Sequence, residues 1–186
     1  MAKTPTTPPR ARNWDALAAV LAAGIGFLAL LVSGYTAWIQ RQQVRAQVWP
    51  YLLVGNYDPE HVVGVLNKGV GPAIVGSIQV FVDGKPKRSW SQVFQALGLP
   101  SDDLTISTVS GNVISAGERV VAIKVADEAA YHNFRRELGE RFGVEICYCS
   151  TLGECWIYSD RTQGERESNK PVDRCPRVPE AEKFDD

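Results

Sequence analysis

A chain of 186 residues, 45% hydrophobic and 22% charged, has the composition of a folding domain with an accessory segment, not of a disordered chain. Its formal net charge of −1 lacks the basic footprint that nucleic-acid binding requires, so no nucleic-acid partner is expected. Four cysteines, an even number, admit disulfides, a zinc site or buried thiols.

Residues 1–13, "MAKTPTTPPRARN", are rich in Pro and Thr, have no apolar periodicity and read as a disordered cytoplasmic tail. Residues 16–40, "ALAAVLAAGIGFLALLVSGYTAWIQ", carry no charge and exceed the roughly 20 residues a helix needs to cross a bilayer. A single transmembrane helix is predicted within residues 14–48, continued past the membrane by "RQQVRAQV", with the lipid bilayer as its partner. Trp14 at one end and Tyr35 and Trp38 at the other suit the membrane–water boundary. A cleavable signal peptide has an apolar core of only about 7–15 residues, and bulky residues at 35–38 do not suit a cleavage site. Ala18, Ala22 and Gly26 recur at i+4, and Ala29 and Ser33 continue a small-residue face, which makes these five the helix-packing candidates for a membrane-protein partner or a second copy. Lys3, Arg10 and Arg12 outnumber Arg41 and Arg45 across the span, so the N-terminus is expected in the cytoplasm and the rest outside, at a cell inner membrane.

Pro50 then favours extended backbone, and the period changes. "YLLV", "HVVGVLN" and "AIVGSIQVFVDG" are strand-like, the last closing on the turn signal Asp83-Gly84. In "SWSQVFQALGLP", Trp90, Val93, Phe94 and Leu97 share one face of a short helix that stops by Gly98. Strand character returns in "LTISTVSGNVISAGERVVAIKVA". A second helix is predicted from the N-cap Asp127, with Ala130, Phe134, Leu138 and Phe142 as an i+4 stripe. "VEICYCS" and "CWIYS" are the last predicted strands, and residues 161–186 read as a polar tail. About seven short strands in residues 49–160 predict a mainly β fold: an immunoglobulin-like antiparallel β-sandwich with two short inserted helices, preceded by the transmembrane helix.

"NKGVGPAIV" contains Gly69-Val70-Gly71, but Pro72 removes an amide and a strand follows where a phosphate loop needs a helix. Asn67 and the glycines are expected to supply left-handed backbone at a bend, and no cofactor is expected. The order "VLNKGVGPAIVGSIQVFVDGK" followed by "SAGERVVAIKV" resembles immunoglobulin-like adhesion and envelope domains, and the whole chain resembles uncharacterised bacterial single-pass membrane proteins with a small extracytoplasmic domain. That resemblance implies a fold and brings no catalytic residue.

Three of the four cysteines lie in "ICYCSTLGECW". Alternation along a strand puts Cys147 and Cys149 on one face. A turn at residues 151–153, with Gly153 left-handed, sets Cys149 opposite Cys155, within disulfide reach, and leaves Cys147 for Cys175. Zinc is the alternative, although a C-x-C on a straight strand is a poorer start than the usual C-x₂₋₄-C knuckle. Asp58, Glu60 and His61 in "DPEHVV" are the one cluster that suggests acid–base or metal chemistry, against a polar loop entering a strand. His132 is expected on a solvent-facing helix surface. The reading is therefore a membrane-anchored, non-enzymatic binding or assembly module. The alternatives are an envelope hydrolase built on Asp58, Glu60 and His61, and a cytoplasmic-facing zinc sensor.

Overall fold

The computed structural model describes residues 14–101, 104–160, 168–180 and 182–186. Two units divide the chain, Met1–Val44 and Arg45–Asp186. Helix α1 (Trp14–Gln47) is continuous over 34 residues and long and apolar enough to cross a membrane, with a mean hydropathy of 2.4 in its most apolar window. At 1.5 Å per residue it is about 51 Å long, against an apolar bilayer thickness of about 30 Å. The hydroxyl of Thr36 donates to the Val32 carbonyl at 2.8 Å, so this polar group is satisfied within the helix itself.

The second unit is mainly β, with two sheets in which every pair of neighbouring strands is antiparallel. Four strands form the first in the order β1 (Leu52–Tyr57), β2 (Val62–Asn67), β7 (Arg119–Val125) and β5 (Leu104–Ile106). The second runs β10 (Ser168–Val172), β9 (Cys155–Ser159), β8 (Phe142–Cys149), β3 (Ala73–Val82) and β4 (Lys85–Lys87), and β6 (Val113–Ile114) also pairs with the start of β3. Both sheets contribute to one core. Leu52, Val63, Val65, Ile123 and Val125 enter from the first, and Val75, Ile78, Val80, Val144, Ile146 and Tyr148 from the second. Each fully buried aliphatic side chain contributes about 1.5–3 kcal/mol by leaving water. Alternation in β3 changes phase at Gly76, where a bulge shifts the inward positions from 73 and 75 to 78 and 80.

Local sequence explains the punctuation. Asp83 and Gly84 both have positive φ, 53° and 71°, as a two-residue hairpin between β3 and β4 requires. Helix α2 (Trp90–Leu97) starts at Ser89, whose hydroxyl accepts from the Gln92 amide, ends at left-handed Gly98, and buries Trp90, Val93, Phe94 and Leu97. Helix α3 (Glu128–Leu138) is capped by Asp127, whose carboxylate accepts from the Ala130 amide at 2.6 Å. Phe142, expected on that helix, begins β8 instead. The chain turns at residues 139–141, and the ring reaches the same aromatic cluster from the sheet, 6.2 Å from Phe134 and 6.3 Å from Trp90.

Two further expectations are corrected. In the glycine motif, neither Asn67, Gly69 nor Gly71 is left-handed. A Cβ on Gly69 or Gly71 would run into the backbone of residues 48–51, so glycine is required because the entering chain packs directly on this loop. Asn67 is the hub: its Oδ1 accepts from the Tyr51 and Gly69 amides, and its Nδ2 donates to the Gly71 and Ile114 carbonyls. The segment read as a polar tail joins the fold at three places among its described residues, and of these only the Cys175 crosslink was expected. β10 extends the second sheet beyond β9, Cys175 is crosslinked, and Phe184 is buried in the core against Trp90. The sheet edge beside β9 needed a partner, and a polar strand serves where only backbone groups pair.

A ring of hydrogen bonds joins the two sheets. The Leu52 amide donates to the Tyr148 hydroxyl at 3.4 Å, that hydroxyl donates to Asn169 Oδ1 at 2.6 Å, and Asn169 Nδ2 donates to the Leu52 carbonyl at 3.2 Å. Burial pushes the Tyr148 phenol up to about 12.

Candidate functional site

The cysteines gather on the outer face of the second sheet. Because Val144, Ile146 and Tyr148 point into the core, Cys147 and Cys149 point away from it. Cys149 stands directly opposite Cys155 in the ladder and is bonded to it. The connecting turn is tied by Ser150, whose amide donates to the Glu154 carbonyl at 2.7 Å and whose hydroxyl accepts from the Leu152 and Glu154 amides, while Gly153 takes φ 79°. Cys147 is bonded to Cys175 beyond the end of β10, with 5.6 Å between their Cα atoms. Gly76 makes room for this second crosslink. A Cβ there would lie 3.1 Å from Cys175 Sγ, so the bulged glycine is the floor on which that sulfur rests.

The two crosslinks touch. Cys149 Sγ lies 3.8 Å from Cys175 Sγ, and the sulfurs of Cys149, Cys155 and Cys175 all fall within 4.8 Å of one another. Such a cluster has the spacing of a thiolate metal site, yet a disulfide sulfur is not a thiolate, so the paired state offers a metal no such donor. An open groove of about 400 Å³ runs beside the cluster, lined by Glu154, Cys155, Trp156, Pro171 and Asp173 among others.

Asp58, Glu60 and His61 form a short 3₁₀ turn and its left-handed cap, His61 having φ 54°. Asp58 and His61 share Tyr131 as a partner, and Glu60 is engaged elsewhere. Asp58 Oδ1 accepts from the Tyr131 hydroxyl at 2.7 Å and from Arg135 Nε at 3.1 Å. Glu60 pairs with Arg119 at 2.7 Å, and that guanidinium sits 4.2 Å over the Tyr57 ring. His61 stacks on Tyr131 with 5.1 Å between ring centroids, and His132 is exposed, 3.7 Å from Glu128. The arrangement ties α3 to the β1–β2 connection.

The Tyr131 hydrogen bond holds the Asp58 carboxyl below its usual range, and burial, then Asp58 itself, pushes the Tyr131 phenol up to about 12. A lowered carboxyl stabilises the fold above its unfolded value near 3.8 and loses that contribution as pH falls through the folded value. A raised phenol stabilises fully below about 10 and loses its contribution as pH rises towards 12. Asp58→Asn is therefore expected to flatten the acid limb of a urea-midpoint profile, and Tyr131→Phe the alkaline limb between pH 10 and 12. An unchanged acid limb in the first variant and an unchanged alkaline limb in the second would contradict this account.

On α1, Ala18, Ala22, Gly26, Ala29 and Ser33 are exposed, as is every residue from 14 to 38, so nothing within that unit singles out their face. Among the participants in the cysteine site that sequence reasoning missed are Gly76, Pro171 and Asp173. Gly76 carried the one available signal, an isolated glycine inside a strand pattern, which marks a bulge or a close approach. No family model, curated protein or solved structure matches this chain.

Proposed function

We propose that this is a single-pass membrane protein whose N-terminus lies in the cytoplasm and whose β unit works outside it as a non-enzymatic binding or assembly module. The observation that carries the reading is the coexistence of a helix able to span a bilayer with a β unit whose four cysteines are all in disulfides. Disulfides persist in oxidising compartments and are rare where glutathione and thioredoxin keep thiols reduced. The heavier positive flank, Lys3, Arg10 and Arg12, agrees with that orientation.

An immunoglobulin-like sandwich fits the strand order. With β1, β2, β3, β5, β7, β8 and β9 taken as strands A to G, the two sheets run A-B-E-D and G-F-C, the constant-type arrangement, with β4 and β10 as additions at the two edges of the second sheet. Such domains serve recognition in many settings, and a bacterial inner-membrane protein of this design would pair an extracytoplasmic binding body with an anchor. The anchor's small-residue face, Ala18 to Ser33, would meet a membrane-protein partner or a second copy.

Labelling intact cells with a membrane-impermeant maleimide tests the placement. No labelling before reduction and labelling of all four cysteines after an impermeant reductant is the expected result. Labelling without reductant, or only after the membrane is permeabilised, would overturn it.

A further inference from the structure

The two disulfides are close enough to communicate, and one of them borders an open groove. We infer that the four cysteines form a thiol–disulfide exchange centre that accepts electrons from a dithiol, on a peptide or a small molecule, entering beside Cys155. The inference rests on the oxidising-side placement proposed above, because only there does the centre begin with both crosslinks formed.

The chemistry follows from the distances. A dithiol in the groove, against Trp156 and Pro171, meets Cys155, which lines it, whereas Cys149, Cys147 and Cys175 do not. Its thiolate bonds to Cys155 Sγ, the Cys149–Cys155 bond breaks, and Cys149 leaves with the electron pair as a thiolate. That thiolate is already in contact with Cys175 Sγ at 3.8 Å, and it attacks there. The Cys149–Cys175 bond forms, the Cys147–Cys175 bond breaks, and Cys147 leaves with the electron pair and takes up a proton. The second thiol of the dithiol then displaces Cys155, which also takes up a proton. The dithiol is oxidised to a disulfide, and the chain gains two electrons and two protons.

The product is a defined state. Cys147 faces Ile157 in the ladder and Cys155 faces Cys149, so Cys147 and Cys155 are diagonal neighbours. Diagonal Cα atoms lie about 7–8 Å apart, beyond the reach of a disulfide, so these two thiols remain reduced. Both are buried, Cys155 6% and Cys147 4% exposed, but Cys155 borders the groove and Cys147 does not. The geometry thus moves the reducing equivalent from the groove wall to a thiol that does not line it.

Limited reduction of the full chain decides the matter. The purified protein in detergent receives one equivalent of dithiothreitol, is quenched in acid, blocked with N-ethylmaleimide and mapped by non-reducing peptide mass spectrometry. Maleimide on Cys147 and Cys155, with Cys149 linked to Cys175 in more than about half of the two-electron-reduced chains, is expected. Cys147–Cys175 intact with Cys149 and Cys155 both labelled would overturn the transfer, and so would Cys149–Cys155 intact with Cys147 and Cys175 labelled. Cys155→Ala provides a second test without reductant. It leaves Cys149 unpartnered, and the Cys149–Cys175 link with Cys147 labelled is expected, whereas an unexchanged Cys147–Cys175 bond with Cys149 labelled counts against the proposal. Both tests use isolated protein, so their failure leaves the cellular placement standing, and reduced cysteines in intact cells would remove the placement without touching the exchange chemistry.

Discussion

Replacing Phe184 by alanine is expected to destabilise the β unit by about 3–5 kcal/mol, the usual cost of emptying a phenylalanine site in a packed core. The side chain is 2% exposed, in the same cluster as Trp90, Val93 and Phe94, and its ring meets Trp90 edge-on at 5.3 Å. Neighbouring backbone holds it there. The Asp185 amide donates to the Arg88 carbonyl at 2.8 Å, and the Asp186 carboxylate accepts from the Val109 and Ser110 amides at 2.5 and 2.9 Å. Phe184→Leu, which refills most of the volume, should cost less than about 1.5 kcal/mol. Urea unfolding of the detergent-solubilised chain measures both. An alanine variant within about 0.5 kcal/mol of the parent would mean that these last residues lie on the surface and contribute nothing to the core.

Asn67→Ala is expected to cost about 3–5 kcal/mol, through orphaned polar groups and not through lost volume. Asn67 is fully buried, and an asparagine side chain has two donors and two acceptor sites. All four are used here, which holds the entering chain at Tyr51, the loop at Gly69 and Gly71, and β6 at Ile114. Removing the amide leaves the Gly71 and Ile114 carbonyls buried without these donors. Asn67→Asp, nearly identical in shape, separates the explanations. It replaces both donors with an acceptor and buries a charge, so it should be at least as damaging at neutral pH. A tolerated aspartate would refute the four-bond account. Gly71→Ala should fail alongside it, because a Cβ there would collide with the backbone of Val48.

Parts of this protein were legible because their signals are local. The charge-free run 16–40 is long enough for a membrane-crossing helix, and α1 is continuous through it. Trp90, Val93, Phe94 and Leu97 share a face in any helix, and Ser89 and Gly98 bound it. Asp83-Gly84 supplies the two positive φ angles that its hairpin needs. The pairing of Cys149 with Cys155 follows from strand alternation and a short turn, each set within seven residues. By contrast, Phe142 continued a helical stripe in sequence yet begins a strand, since periodicity cannot tell where a helix stops when no proline marks the end.

Local patterns were enough to place an apolar helix, a run of mostly β segments, and cysteines able to pair across a hairpin. Each depends on residues a few positions apart. Long-range packing alone makes residues 168–172 the edge of a sheet, seats Phe184 in the core, and requires glycine at 69 and 71 because another stretch of backbone lies against them. The same packing brings one disulfide against the other at 3.8 Å, across a sequence separation of 26 residues. Those facts depend on which distant surfaces meet, and a polar strand, a lone phenylalanine and a bulged glycine carry no mark of their partners until the sheets have closed around them.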